Sequence, residues 1–257
     1  MHLVLAAPSN NIGGNVYVYS ASWLELAAPW ALAYPSAQIV LGRNTGNSAG
    51  SIDLGGYDQG FGAWGGYSVE PTSANTRCRV TSDGPGGMAH HRDGANKAIY
   101  YSFEKLAGYV KEGPYATTFK YPSTTSNSLV VTEGAVRFGD GERFKGSWLN
   151  VTNVTVTGGT LETGGSVTEG GKTYQTRLNP KADFYLSGGK LTIPDGAVQR
   201  CSFLYLKDGA GEWRKARLGC YCGTAGVPGT THLTLLGETT GVLDVHGDGK
   251  GTLMLFK

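Results

Sequence analysis

The sequence predicts an all-β chain wound as a parallel β-helix, with coils of roughly 25–30 residues. Composition is the first observation behind this. Glycine accounts for 41 of 257 residues, roughly twice the usual ~7%. Charged residues make up only 16%, against ~25% in an average domain, while Thr, Val and Tyr are plentiful. That mixture suits short strands separated by many turns. The second observation is apolar alternation of period two rather than 3.6. In residues 153–164, NVTVTGGTLETG, Val154, Val156 and Leu161 would face one way, with Thr155, Thr157 and Glu162 facing the other. The third is recurrence. Similar units occupy 128–139 (SLVVTEGAVRFG) and 183–194 (DFYLSGGKLTIP). Aligned on the second glycine of the break, they place Gly134, Gly159 and Gly189 in register, 25 and 30 residues apart, each followed two positions later by Val136, Leu161 or Leu191. A propeller of WD type would need ~40–45 residues per blade. The alternative architecture is a pair of β-sandwiches, which would use closely spaced Asn-Gly hairpin turns that this chain lacks.

In chain order, NVYVYSASWLELA from Asn15 reads as a strand, a small-residue break and a second strand. Residues 37–41 (AQIVL) form another strand, and 51–66 (SIDLGGYDQGFGAWGG) keeps period two. Between 67 and 96 the pattern decays into polar, Gly/Pro-rich sequence with one strand candidate near 77–81, so an irregular loop is expected there. Residues 98–109 tolerate a helical turn, but Ile99, Tyr100, Tyr101 and Phe103 favour strands. Regular units then run to the C-terminus. The whole of 1–257 reads as one β-helix domain of roughly eight to ten coils, and its start in mid-coil suggests a segment of a longer chain. Glycines at the corners would take positive φ.

Residues 108–139 (GYVKEGPYATTFKYPSTTSNSLVVTEGAVRFG) resemble the autotransporter-associated β-strand repeat. Lys111-Glu112-Gly113 matches its opening Lys-x-Gly step, and Glu133-Gly134-Ala135-Val136 and Gly159-Thr160-Leu161 match its closing step. SIDLGGYDQGFGAW and the C-terminal segment from Phe203 resemble neighbouring parts of such proteins. The resemblance implies a right-handed β-helix, export to the cell surface or medium, and usually membership of a much longer chain, and it carries no catalytic residues.

The formal charge of +2 and the absence of a basic run with interleaved aromatics argue against nucleic acid. No stretch approaches ~18 consecutive apolar residues, so no membrane span is expected. Of the four cysteines, Cys201 would pair with Cys220 or Cys222 in an oxidising compartment; buried free thiols, Cys78 included, are the alternative. Asp244, His246, Asp248 and Gly249 mimic the start of a calcium loop, but Leu255 stands where a bidentate acid is required, so a Gly-rich turn is expected instead. His90 and His91 are adjacent on an extended segment and point to opposite faces, which leaves Arg92 and Asp93 beside them in a solvated loop. Asp53, Asp58, Asp183, Asp195 and Asp208 are scattered rather than paired as glycoside hydrolysis requires. The sequons at Asn150 and Asn153 read as ordinary strand chemistry. Trp64, Tyr67, Trp148 and Trp213 are candidate sugar-stacking rings. No catalytic, cofactor or metal residue is assigned. The reading is a secreted or surface structural and adhesive module with extracellular glycans as partners. The rival readings are a polysaccharide-degrading enzyme, which would need an acidic groove, and a dedicated glycan-binding module, which would align aromatics along one face.

Overall fold

The computed structural model describes residues 1–10, 12, 15–18, 21–32, 38–41, 49–65, 78–84, 86–99, 101–123, 127–138, 147–164, 167–169, 172–174 and 177–248. The chain is all-β, its one described helix being the short 3₁₀ turn Thr234–Leu236. Strands are two to five residues long, and 19 of the 22 strand pairings among the described residues are parallel, with three antiparallel. Sandwiches are built from antiparallel sheets, so the sandwich alternative fails.

Most strands pair in parallel with a strand 19–30 residues further along the chain. Met88–Arg92, Gly108–Glu112, Ser128–Val131, Asn153–Val156, Asp183–Leu186 and Leu204–Lys207 lie side by side in one eight-stranded sheet. Successive aligned positions are 20, 20, 25, 30 and 20 residues apart. The chain visits a second sheet next, through Lys97–Ile99, Ala116–Phe119, Ala135–Phe138, Thr160–Glu162 and Lys190–Thr192. Between these visits, Ser102–Glu104 ends a five-stranded sheet that it shares with N-terminal strands, while Pro122–Ser123 and Ser147–Trp148 pair in a separate two-stranded sheet. The N-terminal strands pair in the same manner: Ser22–Leu26 stacks on His2–Leu5, and Gly50–Asp53 on Ser22–Leu26. Such short strands are marginal alone, and lateral stacking is what stabilises them.

Period-two patterning decides what lies inside. In the eight-stranded sheet one inward row holds Gln59, Ala89, Tyr109, Leu129, Val154, Phe184 and Leu204, all fully buried. The second inward row runs Phe61, His91, Lys111, Val131, Val156 and Leu186, also fully buried. Phe103, Tyr109, Phe119 and Trp148 meet at the centre with ring centroids 4.9–6.1 Å apart.

The corner between the first and second sheets carries the aligned glycines. Gly134 and Gly159 have φ of +65°, as the repeat predicts, whereas Gly189 does not adopt positive φ. A Cβ on Gly159 would sit 2.3 Å from the Gly134 carbonyl oxygen, and one on Gly134 would sit 2.4 Å from the Gly113 oxygen. The Gly134 carbonyl accepts from Thr160 N at 2.8 Å, and the Gly159 carbonyl from Lys190 N at 2.9 Å. Glycine is needed at these corners because one backbone rests directly on the next.

The expected irregular region divides at residue 78. Residues 66–77, Tyr67 among them, lie outside the described residues. Beyond them, Arg79–Thr81 is the strand expected near 77–81, and Met88–Arg92 is a further strand where irregular chain was expected; both pair in parallel with their neighbours. The cysteine pairing is also corrected. Val198–Cys201 and Gly219–Cys222 lie on opposite sides of Val242–Val245. Two strand spacings of ~4.8 Å exceed the ~7 Å limit for bridged Cα atoms. All four thiols are free.

Candidate functional site

Between the two inward rows of the eight-stranded sheet lies an alternate row: Gly60, His90, Val110, Val130, Thr155, Tyr185 and Tyr205, partly exposed except at Gly60 and Val110, which are buried. Alternation dictates this, because each residue sits between two buried neighbours. From His90 to Tyr205 the row crosses five strand spacings, roughly 24 Å.

Aromatic rings gather at the C-terminal end of the row. Tyr185 and Tyr205 stack with centroids 4.6 Å apart and planes 6° from parallel. Trp213 stands edge-on to Tyr185 at 5.4 Å and 86°. The antiparallel strand Trp213–Lys215 puts it there, with Lys207 opposite Trp213 and Tyr205 opposite Lys215. The hairpin turn is held by Asp208, whose carboxylate accepts from Ala210 N and Glu212 N at 2.9 Å each and from Arg214 Nε at 2.8 Å. Those donors hold the Asp208 carboxyl below its usual range, the Arg214 hydrogen bond contributing most. Thr155, next in the row, is too short to cover the remaining face of Tyr185. At the other end Trp30 lies 5.0 Å from the ring of His90, which pairs with Glu112 at 3.1 Å.

The proposed sugar-stacking rings therefore separate. Trp213 is 36% exposed and belongs to the outer cluster. Trp148 is fully buried in the central aromatic cluster, because its strand stacks between Pro122–Ser123 and Leu178. Trp64 lies on the strand Ala63–Gly65, its side chain outside the described set. Tyr185 and Tyr205 were not singled out from sequence, although DFYL and FLYL place a tyrosine at the same position of neighbouring units.

His90 and His91 do face opposite ways, but no solvated loop surrounds them. His91 is fully buried, with Nε2 2.8 Å from Asp93 Oδ2 and Nδ1 hydrogen-bonded to the Tyr109 hydroxyl. Burial lowers the His91 pKa, opposed by the hydrogen bond and charge of Asp93. Lys111 shares this interior, donating from Nζ to the carbonyls of Glu112 at 2.6 Å and Gly113 at 2.8 Å. A buried ammonium is tolerable only when so satisfied, and the Lys-x-Gly step supplies the acceptors locally. The cluster is sealed from solvent and has no approach for a substrate.

The scattered acids serve turns, except Asp183, which lies on the strand Asp183–Leu186. Asp53 accepts from Gly55 N and Asp83 N, Asp58 from Met88 N, and Asp195 from Thr240 N and Oγ1. Asp244 pairs with Arg200 at 3.4 Å on the strand Val242–Val245. His246 and Gly247 follow as a turn with Gly247 at φ +81°, while Gly249 and Leu255 lie outside the described residues. No group of three or more potential metal ligands occurs among the described residues. Asn150 is exposed, and Asn153 opens a strand with its amide on Thr152 Oγ1. A separate groove of about 270 Å³ on the second sheet is lined by Lys120, Arg137, Glu162 and three threonines, among others. Its only carboxylate, Glu162, is held by Arg137 Nε at 2.8 Å, so the groove lacks the acid pair that hydrolysis of glycans requires. No described helix is long and apolar enough to cross a membrane.

No family model, curated protein or solved structure matches this chain.

Proposed function

We propose that the chain is a secreted or surface-displayed, right-handed parallel β-helix that serves as a structural and adhesive module. In this reading the outer face of its eight-stranded sheet binds extracellular glycans. The β-helix reading is supported by the regular order in which the chain alternates between the eight-stranded sheet and the sheet Lys97–Ile99 to Lys190–Thr192, and by the parallel register of successive strands in each. Right-handedness follows from the strong bias of parallel crossover connections. Export rests on the Lys111-Glu112-Gly113 and Gly159-Thr160-Leu161 steps and their resemblance to autotransporter-associated repeats.

One observation carries the binding reading: Tyr185, Tyr205 and Trp213 converge on one outer face. Flat apolar rings with polar edges suit the faces of sugar rings. An enzymatic reading finds less support, since the carboxylates of Asp53, Asp58, Asp195 and Asp208 are occupied in turns.

An immobilised-glycan panel, run with the full chain and with Trp213→Ala, tests the proposal. The chain should bind at least one glycan, and the variant should lose about tenfold or more in affinity, as interface aromatics do, with an unchanged far-ultraviolet spectrum. Silence of the folded chain across the panel would remove the glycan reading and leave a purely structural module.

A further inference from the structure

We infer that this face selects anionic polysaccharides, with Lys207 and Lys215 holding acid groups while Tyr185, Tyr205 and Trp213 hold sugar rings. The inference rests on the glycan-binding reading above and narrows its ligand class.

Register places the two lysines. Tyr205 and Lys207 sit two apart on one strand, as do Trp213 and Lys215 on its antiparallel neighbour, and the pairs are Tyr205 with Lys215 and Lys207 with Trp213. Residues two apart on a strand share a face, so all four side chains belong to one surface with Tyr185. Lys207 Nζ lies 5.7 Å from the Trp213 ring centroid, and Lys215 Nζ lies 3.2 Å from that of Phe203. Contact with a ring face restrains an ammonium without neutralising it. The two lysines thus stand on diagonal corners of the aromatic cluster, about 8 Å apart at the backbone by strand geometry.

Three nearby arginines are already committed. Arg214 binds Asp208, Arg200 binds Asp244 and, on the next sheet, Arg137 binds Glu162. Neither Lys207 nor Lys215 forms an ion pair of 4 Å or less among the described residues, and both are exposed. Burial raises the pKa of the adjacent Asp183 carboxyl, opposed by the charge of Lys215. Local charge points the same way. Residues 181–217 hold seven Lys or Arg and four Asp or Glu, a net of +3, while the whole chain carries only +2. A ligand presenting rings and negative charge together satisfies both sets of groups; a neutral glycan leaves the ammonium groups unused.

Affinity electrophoresis and calorimetry of the full chain would use four probes: polygalacturonate, heparin, neutral dextran and a single-stranded oligothymidylate. Carboxylated and sulfated glycans share the required chemistry, and the first two probes distinguish them. At least one should bind more tightly than dextran, with affinity falling as salt rises. Lys207→Gln/Lys215→Gln should lose about tenfold for that polymer while leaving any dextran binding unchanged; Trp213→Ala should weaken both. Dextran binding equal to that of the acidic polymers, or an unaffected double variant, would overturn the inference and leave the glycan reading standing. Tighter binding of the oligothymidylate would also overturn it, since stacking rings among cations serve single strands equally well. Failure of the folded chain to bind any glycan, here and on the wider panel, would remove both readings.

Discussion

Replacing Gly159 by alanine isolates what the glycine corner contributes to stability. Two separate penalties apply. At φ +65° an L-residue with a Cβ costs about 1–2 kcal/mol. The new Cβ would also lie 2.3 Å from the Gly134 oxygen and 2.7 Å from the Glu133 carbonyl carbon. Both are backbone atoms, so no rotamer change relieves the contact and the two circuits must part. Parting them strains the 2.8 Å bond from Thr160 N to Gly134 O, a further loss of about 1 kcal/mol. The total is about 2–3 kcal/mol. Gly196→Ala is the control, because Gly196 has φ +71° with nothing within 4 Å of the added Cβ. It should cost only the conformational term, about 1–2 kcal/mol. Urea unfolding of the two variants and the parent, followed by circular dichroism, measures the difference. Equal midpoints for the two variants would refute direct backbone stacking at this corner.

Trp148→Ala should destabilise the chain by about 3–5 kcal/mol, as truncation of a buried tryptophan does, whereas Trp213→Ala on the outer face should change stability by less than about 1 kcal/mol; thermal melts of the pair check this. His91 has a lowered pKa through burial, so below about pH 6.5 the unfolded chain takes up a proton that folded His91 resists. Its contribution is intact above that pH and shrinks as pH falls, by up to about 1.4 kcal/mol per pH unit. Urea midpoints between pH 7.5 and 5 should fall less steeply in His91→Gln, and identical slopes would disprove the assignment. Four free thiols should titrate in denaturant without reductant, and in the native chain an alkylating reagent should reach Cys220 long before the fully buried Cys201. A native mass lower by two hydrogens would show that a disulfide forms after all.

The repeat was legible where glycine and apolar residues recur together. Gly134, Gly159 and Gly189 mark the corner correctly because backbone contact there excludes other residues. Val154, Val156 and Leu161 are buried as alternation requires. The strand Met88–Arg92 was missed because an inward row rarely contains His and Lys. Here His91, Asp93 and Lys111 partner one another and corner carbonyls, so polarity gives the wrong sign for burial. The hairpin between Leu204–Lys207 and Trp213–Lys215 turns through residues 208–212 with Gly211 at φ +87°, a longer loop than the two-residue Asn-Gly signal marks. The candidate site was half visible. Trp213 stood out by type, but Tyr185 and Tyr205 become a surface only once units 20 residues apart are known to be adjacent strands. The cysteine pairing failed for a similar reason: sequence proximity gives no hint that Val242–Val245 runs between its partners.

Parallel register has one more consequence for the outer row. Its residues are spaced by the hydrogen-bond ladder, at ~4.8 Å per strand, whatever side chains they carry. The face is therefore a ruler whose graduations are fixed by backbone and whose markings are set by sequence. Under the proposed glycan-binding reading, a ring placed at Val130 or Thr155 would add a contact a whole number of graduations from Tyr185. Polymers with different repeat lengths would then be told apart by which markings they meet.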